Sequence, residues 1–353
     1  MLLDCIIVGQ GIAGTVLSYE LLKEHKTFIV VDNNPPDSSS KIAAGLYNPV
    51  VFKRLAKSWM IEELLPVAHN TYKEMAGLLG KNFMFEKEIV KLFVSREEQH
   101  FWIKKSKTEE MKIYLSSEVH PYPCHQFIES PTGFAKVKKA GYLAIFDLLI
   151  NYQDFLRKNK LLKTATFLYN DLRIENETVH WKEYKAKKVV FCEGYKAINN
   201  PFFSWLPFVL TKGQLLTIKV ENLNIQEIIN KGVFILPLGD DLFKIGATYE
   251  WNKIDEQQTE KGKAELLSKL EKILKTPYEV VEHKAGIRPT VKDRRPFLGV
   301  HPKFKNLVIF NGMGTKGVLL APYFAKELIA FLEKKKNLHI EVNIERYYSL
   351  FSS

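Results

Sequence analysis

The chain has 353 residues and a formal net charge of +11, with 46% hydrophobic and 26% charged residues. That length suits two domains, or one with a large insertion, in an ordinary globular protein. No apolar run approaches the roughly 20 residues of a membrane span, and the lysines lie in scattered pairs such as Lys104-Lys105 and Lys187-Lys188, so the charge reads as solvated surface and not as a nucleic-acid groove.

Leu2 to Val8 is an apolar run that enters Gly9-Gln10-Gly11-Ile12-Ala13-Gly14 directly. A helical segment to Glu24 follows, then a second apolar run from Phe28 to Val31 that ends in Asp32. This is the strand–turn–helix–strand pattern of a dinucleotide-binding unit. Gly9 permits the tight turn, Gly11 lets the backbone approach a pyrophosphate, and Gly14 lets helix and strand pack closely. The helix amino terminus offers unpaired N–H groups to the diphosphate. Asp32, with Asn33 beside it, is placed to accept from ribose hydroxyls and argues against a 2′-phosphate. The pattern by itself leaves FAD and NAD open.

Pro35 to Ser40 is a loop, and Trp59 to Leu79 carries apolar residues at helical spacing. Leu143 to Arg157 is a second long helix. Short strands follow between 165 and 192, closing in Val189-Val190-Phe191-Cys192 and a glycine turn at Gly194. Val209–Val220, Gly232–Leu236 and Leu242–Thr248 read as strands, Glu260–Leu274 as a helix and Tyr278–Ile287 as a strand. The last strand, Leu307–Phe310, enters Gly312-Met313-Gly314-Thr315-Lys316-Gly317, and a helix runs from Val318 to Lys334. Two glycine turns, one near each end of the chain, each follow a strand and open a helix. They predict a discontinuous cofactor domain whose two helices aim at one extended ligand, with a substrate domain inserted between.

Of the three cysteines, Cys5 and Cys192 fall in predicted core strands as small buried hydrophobes, and with Cys124 they form no metal-ligand spacing. No metal site and no structural disulfide are expected. The first strand begins next to Met1, so no signal peptide is expected and a cytoplasmic location is. His69, His125, His283 and His301 stand isolated and read as structural or surface groups.

With these motifs in hand, the chain resembles the D-amino-acid oxidase-like flavoproteins along essentially its whole length. The resemblance rests on the first fingerprint, on Ile42-Ala43-Ala44-Gly45-Leu46-Tyr47-Asn48-Pro49, and on Lys212-Gly213-Gln214. It rests most on Ala285-Gly286-Ile287-Arg288-Pro289-Thr290, Asp293, Pro296-Phe297-Leu298-Gly299 and the Gly312–Gly317 turn. It implies a mixed α/β fold: a Rossmann-like FAD domain from residues 1–80, 135–205 and 286–353, and an antiparallel-sheet substrate domain from 81–134 and 206–285. It implies noncovalent FAD, since the second glycine turn carries no cysteine or histidine. Ala43, Ala44, Gly45 and Leu46 would lie beneath the flavin, with Leu172, Cys192 and Gly194 completing the cofactor site. Gly312, Met313, Gly314, Thr315, Lys316 and Gly317 would bring N–H groups and a helix dipole to the ring, where Lys316 adds positive charge.

The resemblance makes Arg288 the clamp for a substrate carboxylate; a salt bridge to Asp293 or Glu250 is its structural alternative. Asn48, Phe234 and Tyr249 would line the substrate pocket, Phe234 standing where family members carry a tyrosine hydroxyl. Tyr249, Glu250 and Trp251 are either pocket or edge-strand surface. The implied reaction is oxidation of a primary or secondary amine, an amino acid or N-substituted glycine, by hydride transfer to flavin N5 with oxygen as acceptor. Two alternatives stay open: modification of a carboxymethylaminomethyl group on tRNA, and a flavoprotein subunit that works only with a partner.

Overall fold

The structure is a computed structural model and describes residues 1–123 and 126–351; Cys124 and His125, singled out above, lie outside them. The opening run forms the strand Leu2–Val8, and Phe28–Asp32 lies parallel beside it with Val31 opposite Val8. On its other side Tyr184–Phe191 runs parallel, followed by Leu307–Asn311 against the last residues of that strand. Leu162–Thr164 adds a short parallel edge beside Phe28–Asp32.

Period-two alternation divides this sheet between two cores. Ile7, Val30, Val190 and Phe310 point to one face. The helices Ile12–Lys23, Ile61–Leu79, Ile145–Lys158 and Gly317–Leu332 cover it, burying residues such as Val16, Leu64, Leu148 and Phe324. Ile6, Val31, Val189 and Ile309 point to the other face, against Trp181, Phe203 and Phe297. A mixed α/β fold around a parallel sheet is what the alternation of strand and helix signals predicts.

A second sheet orders its seven strands as Glu279–Arg288, Thr211–Lys219, Leu242–Gly246, Val233–Gly239, Ile228–Lys231, Ile89–Leu92 and Phe134–Val137. All neighbours are antiparallel except Ile228–Lys231 with Ile89–Leu92, which run parallel. Phe134–Val137 straddles the division expected at residue 134. Leu216, Ile218, Ile235 and Ile245 bury one face against the helix Glu260–Leu270. On the opposite face Ile89, Val137, Ile228 and Leu236 pack into the core beneath the helices, but the Thr211–Lys219 end is left open. Thr211, Gly213 and Leu215, two residues apart, turn instead into a large cavity.

Candidate active site

That cavity, about 1580 Å³ in volume, runs from the carboxyl ends of the parallel strands to the open face of the second sheet. At one end is the first glycine turn. Gly9 has φ +100°, and a Cβ there would sit 2.6 Å from the Cys192 carbonyl oxygen. A Cβ on Gly14 would sit 1.9 Å from the Gly9 carbonyl oxygen, so Gly14 packs helix on turn and does not itself line the cavity. Gly11 caps the first helix without a side-chain bond, and the Ile12 N–H donates to Ser40 Oγ at 3.0 Å. The Asp32 carboxylate accepts the Gln10 N–H at 2.7 Å and the Asn34 N–H at 2.5 Å. It still lines the cavity, with Asn33, and a carboxylate has acceptor sites to spare for a ribose.

The second glycine turn reaches the same place. Gly312 and Gly314 adopt φ +75° and +54°, and the helix Gly317–Leu332 opens without a side-chain cap. A Cβ on Gly317 would lie 2.9 Å from Ile12 Cγ2, so the two helix amino termini touch, although the chain separates them by most of its length. Asn311 joins the turns: its Nδ2 donates to the Gly194 carbonyl at 2.9 Å and its Oδ1 accepts the Gly312 N–H at 2.8 Å. Ala43, Ala44, Gly45 and Leu46 form the cavity wall between the two ends, and Ser39 Oγ donates to the Ile287 carbonyl. Ile12, Ala13, Cys192, Met313, Thr315 and Lys316 also line it. Leu172 does not. It starts the edge strand Leu172–Glu175, paired with Thr178–Trp181, because the turn at Tyr169–Asp171 carries the chain away; Thr166, Phe167 and Tyr169 occupy the wall there.

Arg288 closes the other end. It ends the strand Glu279–Arg288, opposite Thr211, and its guanidinium lies across Gly213, where a Cβ would be 1.9 Å from Nη2. Nη1 donates to the carbonyls of Thr248 (3.2 Å) and Lys212 (3.3 Å), and the Tyr249 ring lies 4.4 Å beneath the guanidinium carbon. No carboxylate among the described residues pairs with it. Asp293 is taken by Arg346 at 3.2 Å and Tyr347 at 2.9 Å, and Glu250 by Gln214 at 2.5 Å. The salt-bridge alternative is therefore excluded, and burial pushes the Arg288 guanidinium below its ordinary pKa. A partly buried cation without an anion is unfavourable unless a ligand brings one.

Phe234 and Leu215 flank Gly246 on the adjoining strands and face the cavity. Tyr249 and Trp251 both line the cavity and remain 52% and 61% exposed, stacked 6.2 Å apart at its mouth, whereas Glu250 turns back toward Gln214. Asn48 lines the wall, with its carboxamide oxygen already accepting the Val50 N–H at 2.8 Å. Lys316 is half-buried at the turn without an acceptor among the described residues. Burial lowers its pKa, and the charges of Arg294 and Arg295 add to that.

Sequence reasoning missed Ser40, Asn311 and Glu193. Glu193 accepts from Tyr169 Oη at 2.6 Å and Asn200 Nδ2 at 2.7 Å, and its pKa is raised by burial. The Ser38-Ser39-Ser40 run was the available signal for Ser40; nothing local marks Asn311. None of the histidines lines the cavity among the described residues. His301 is structural: its buried Nδ1 accepts the N–H groups of Lys303 and Phe304, both at 3.1 Å. Burial holds it neutral, with its pKa lowered from 6.5 to about 4. The unfolded chain then binds more protons between those values, so stability is full above pH 6.5 and falls as pH drops toward 4. Thermal unfolding of His301→Gln should show a shallower pH dependence than wild type across that window; parallel curves would contradict the assignment.

The family profile described as FAD dependent oxidoreductase matches residues 4–331. Glycine oxidase of Geobacillus kaustophilus (strain HTA426) is 23% identical over 379 residues, an alignment that covers 94% of this chain and 93% of that protein. The crystal structure of glycine oxidase from Geobacillus kaustophilus has a TM-score of 0.78 at 20% identity, covering 95% of each chain. L-proline dehydrogenase from P. horikoshii has a TM-score of 0.79 at 15% identity, covering 99% of this chain and 98% of its own. At such identities the solved structures establish a common fold.

Proposed function

This chain belongs to the FAD-dependent oxidoreductase family, and from that premise we propose that it oxidises a small primary or secondary amine bearing a carboxylate, an amino acid or N-substituted glycine, with oxygen as electron acceptor. The cavity fits the cofactor. Glycines stand where a Cβ would meet backbone, two helix amino termini without a capping side chain at the N-cap position converge, and Asp32 has acceptor capacity to spare. The Gly9–Gly14 turn would hold the diphosphate and Asp32 the adenosine ribose. Ala43–Leu46 and Gly312–Gly317 would contact the flavin, which is held noncovalently because that turn has no cysteine or histidine. When bound, FAD supplies a hydride acceptor at ring N5.

The observation that carries the substrate reading is the unpaired guanidinium of Arg288 in the same cavity. Nη2 and Nε have no acceptor among the described residues, which leaves the fork that a carboxylate takes in bidentate fashion. Thr248 and Lys212 carbonyls and the Tyr249 ring fix that fork from behind. Holding the carboxylate fixes the α-carbon, so positioning supplies much of the acceleration. Phe234 and Leu215 give the site an apolar wall that keeps water from the reacting carbon. The amine reacts as its free base, in keeping with a cavity that carries no histidine among the described residues.

The test is anaerobic bleaching of the flavin band near about 450 nm by sarcosine, glycine, proline and D-amino acids, with bulk tRNA as a further arm. Bleaching by a small amino acid establishes the reaction; bleaching by tRNA alone replaces it with RNA modification. For the cofactor, Asp32→Ala should weaken FAD retention by roughly tenfold to a hundredfold, the loss of hydrogen bonds to a charged group. Gel filtration with flavin quantitation reads this directly, and full occupancy in the variant would remove Asp32 from the ribose.

A further inference from the structure

The cavity carries more positive charge than FAD and a single carboxylate would neutralise. Arg288 is accounted for by the substrate carboxylate. Beyond it, Lys53 and Arg54 sit at the tip of the hairpin Val50–Val51/Ala56–Lys57, and Lys292 and Arg294 on the segment after Thr290. All four are exposed and line the cavity, and none has an ion-pair or hydrogen-bond acceptor for its side chain among the described residues. Half-buried Lys316 joins them from the second glycine turn. Of the four carboxylates in the wall, Asp293 is engaged by Arg346 and Tyr347, Glu193 by Tyr169 and Asn200, and Glu256 by Tyr195, while Asp32 stands at the first glycine turn.

The two basic segments belong to one rim. Trp59 lies two residues after the hairpin, and the Arg295 guanidinium stacks on its ring at 4.1 Å while pairing with Glu341 at 2.9 Å. Glu341 also accepts from Trp59 Nε1 at 2.9 Å, so the hairpin base and the 292–295 segment are tied together. Arg294 stands beside this joint in the left-handed region, φ +58°. Lys316 lies close enough to Arg294 and Arg295 for their charge to act on it. The pyrophosphate of FAD would be met by backbone N–H groups at the first glycine turn. Unopposed cations converging on one cavity focus field lines and select anions.

We propose that the substrate carries a second anionic group, a carboxylate or a phosphate, distal to the one held by Arg288, and that Lys53, Arg54, Lys292, Arg294 and Lys316 form the subsite that receives it. This rests on the amine-oxidation reading for the chemistry, but the subsite is a matter of binding and is tested without turnover. Ethers stand in for amines, because an ether oxygen gives the flavin nothing to oxidise in this way. Methoxyacetate has one carboxylate, oxydiacetate has two, and (phosphonomethoxy)acetate exchanges the distal carboxylate for a phosphonate.

The affinity of the FAD-loaded enzyme for each is read from the shift of the flavin spectrum on titration. One of the two-anion ligands should bind about tenfold tighter than methoxyacetate, the scale of one added charge among several partly solvated cations. Whichever is tighter distinguishes carboxylate from phosphate. The preference should shrink as salt rises from about 0.01 to 1 M, because screening acts on rim charges first. It should fall toward one in Arg54→Ala/Arg294→Ala and invert in Arg54→Glu/Arg294→Glu. Equal affinities for the one-anion and two-anion ligands overturn the subsite, as does a preference that survives both double variants. A spectral shift with bulk tRNA, and none with the small dianions, overturns it in favour of RNA. Failure of sarcosine and other amines to bleach the flavin would instead count against amine oxidation and leave these affinities standing as measured.

Discussion

Replacing Arg288 by alanine should lower kcat/KM for carboxylate-bearing amines by roughly a hundredfold, mostly through KM, the measure of a lost charge-assisted bidentate contact worth about 2–3 kcal/mol. Steady-state rates on sarcosine and on a simple alkylamine without a carboxylate make the comparison. The alkylamine should be a poor substrate of both proteins and should change little between them. An equal loss on both substrates would make Arg288 a support of the sheet and not a ligand of the substrate. Arg288→Lys should recover only part of the loss, since a single ammonium cannot offer two parallel donors. Gly213→Ala should behave like a weaker Arg288 variant, because its methyl would occupy the place of the guanidinium.

Gly14→Ala should yield a protein that no longer keeps its flavin. The added methyl would lie 1.9 Å from the Gly9 carbonyl oxygen, a backbone atom that cannot swing aside. The first helix must then lift from the turn, and the N–H groups that face the diphosphate move with it. The readout is the ratio of flavin to protein absorbance after desalting, beside a thermal melt. Gly77→Ala is the control: it lies exposed in the helix Ile61–Leu79 with open space around its Cβ position. It should keep its flavin and gain up to about 1 kcal/mol of stability from helix propensity. A yellow Gly14→Ala protein would mean that turn and helix are held apart more loosely than the packing indicates.

The glycine turns and their flanking strands were readable because each requirement is local: a bend, a close approach, an apolar run. Asp32 was readable for the same reason. The helix Arg96–Ser106 was not, since it buries only Trp102 and Ser106 and so carries no apolar stripe. Its one signature was the Ser95-x-x-Glu98 pattern, of which the structure forms half: Ser95 Oγ accepts the Glu98 N–H, while the Glu98 carboxylate reaches one residue past the cap to accept the Val94 N–H. Leu172 was misplaced because a short turn decides which residue of a strand-rich stretch reaches the cavity. Arg294, Arg295 and Trp59 gave no signal at all. Their relation depends on a loop from one part of the chain meeting a hairpin more than two hundred positions earlier, and pattern along a sequence does not encode that. The isolation of Arg288 was equally hidden, for it consists in where Asp293 and Glu250 point.

The touching starts of the first and last helices have a consequence for biosynthesis. Ile12 leaves the ribosome early, but its neighbour Gly317 and the strand Leu307–Asn311 emerge only when most of the chain has been made. Until then the first glycine turn faces a half-built wall, and Gly194 lacks the Asn311 bridge that ties it to the second turn. The wall of the cavity is therefore complete only once both segments are present. A chain that stops before Leu307 lacks both the Asn311 bridge and the second glycine turn, and so is open along the seam where the two segments meet.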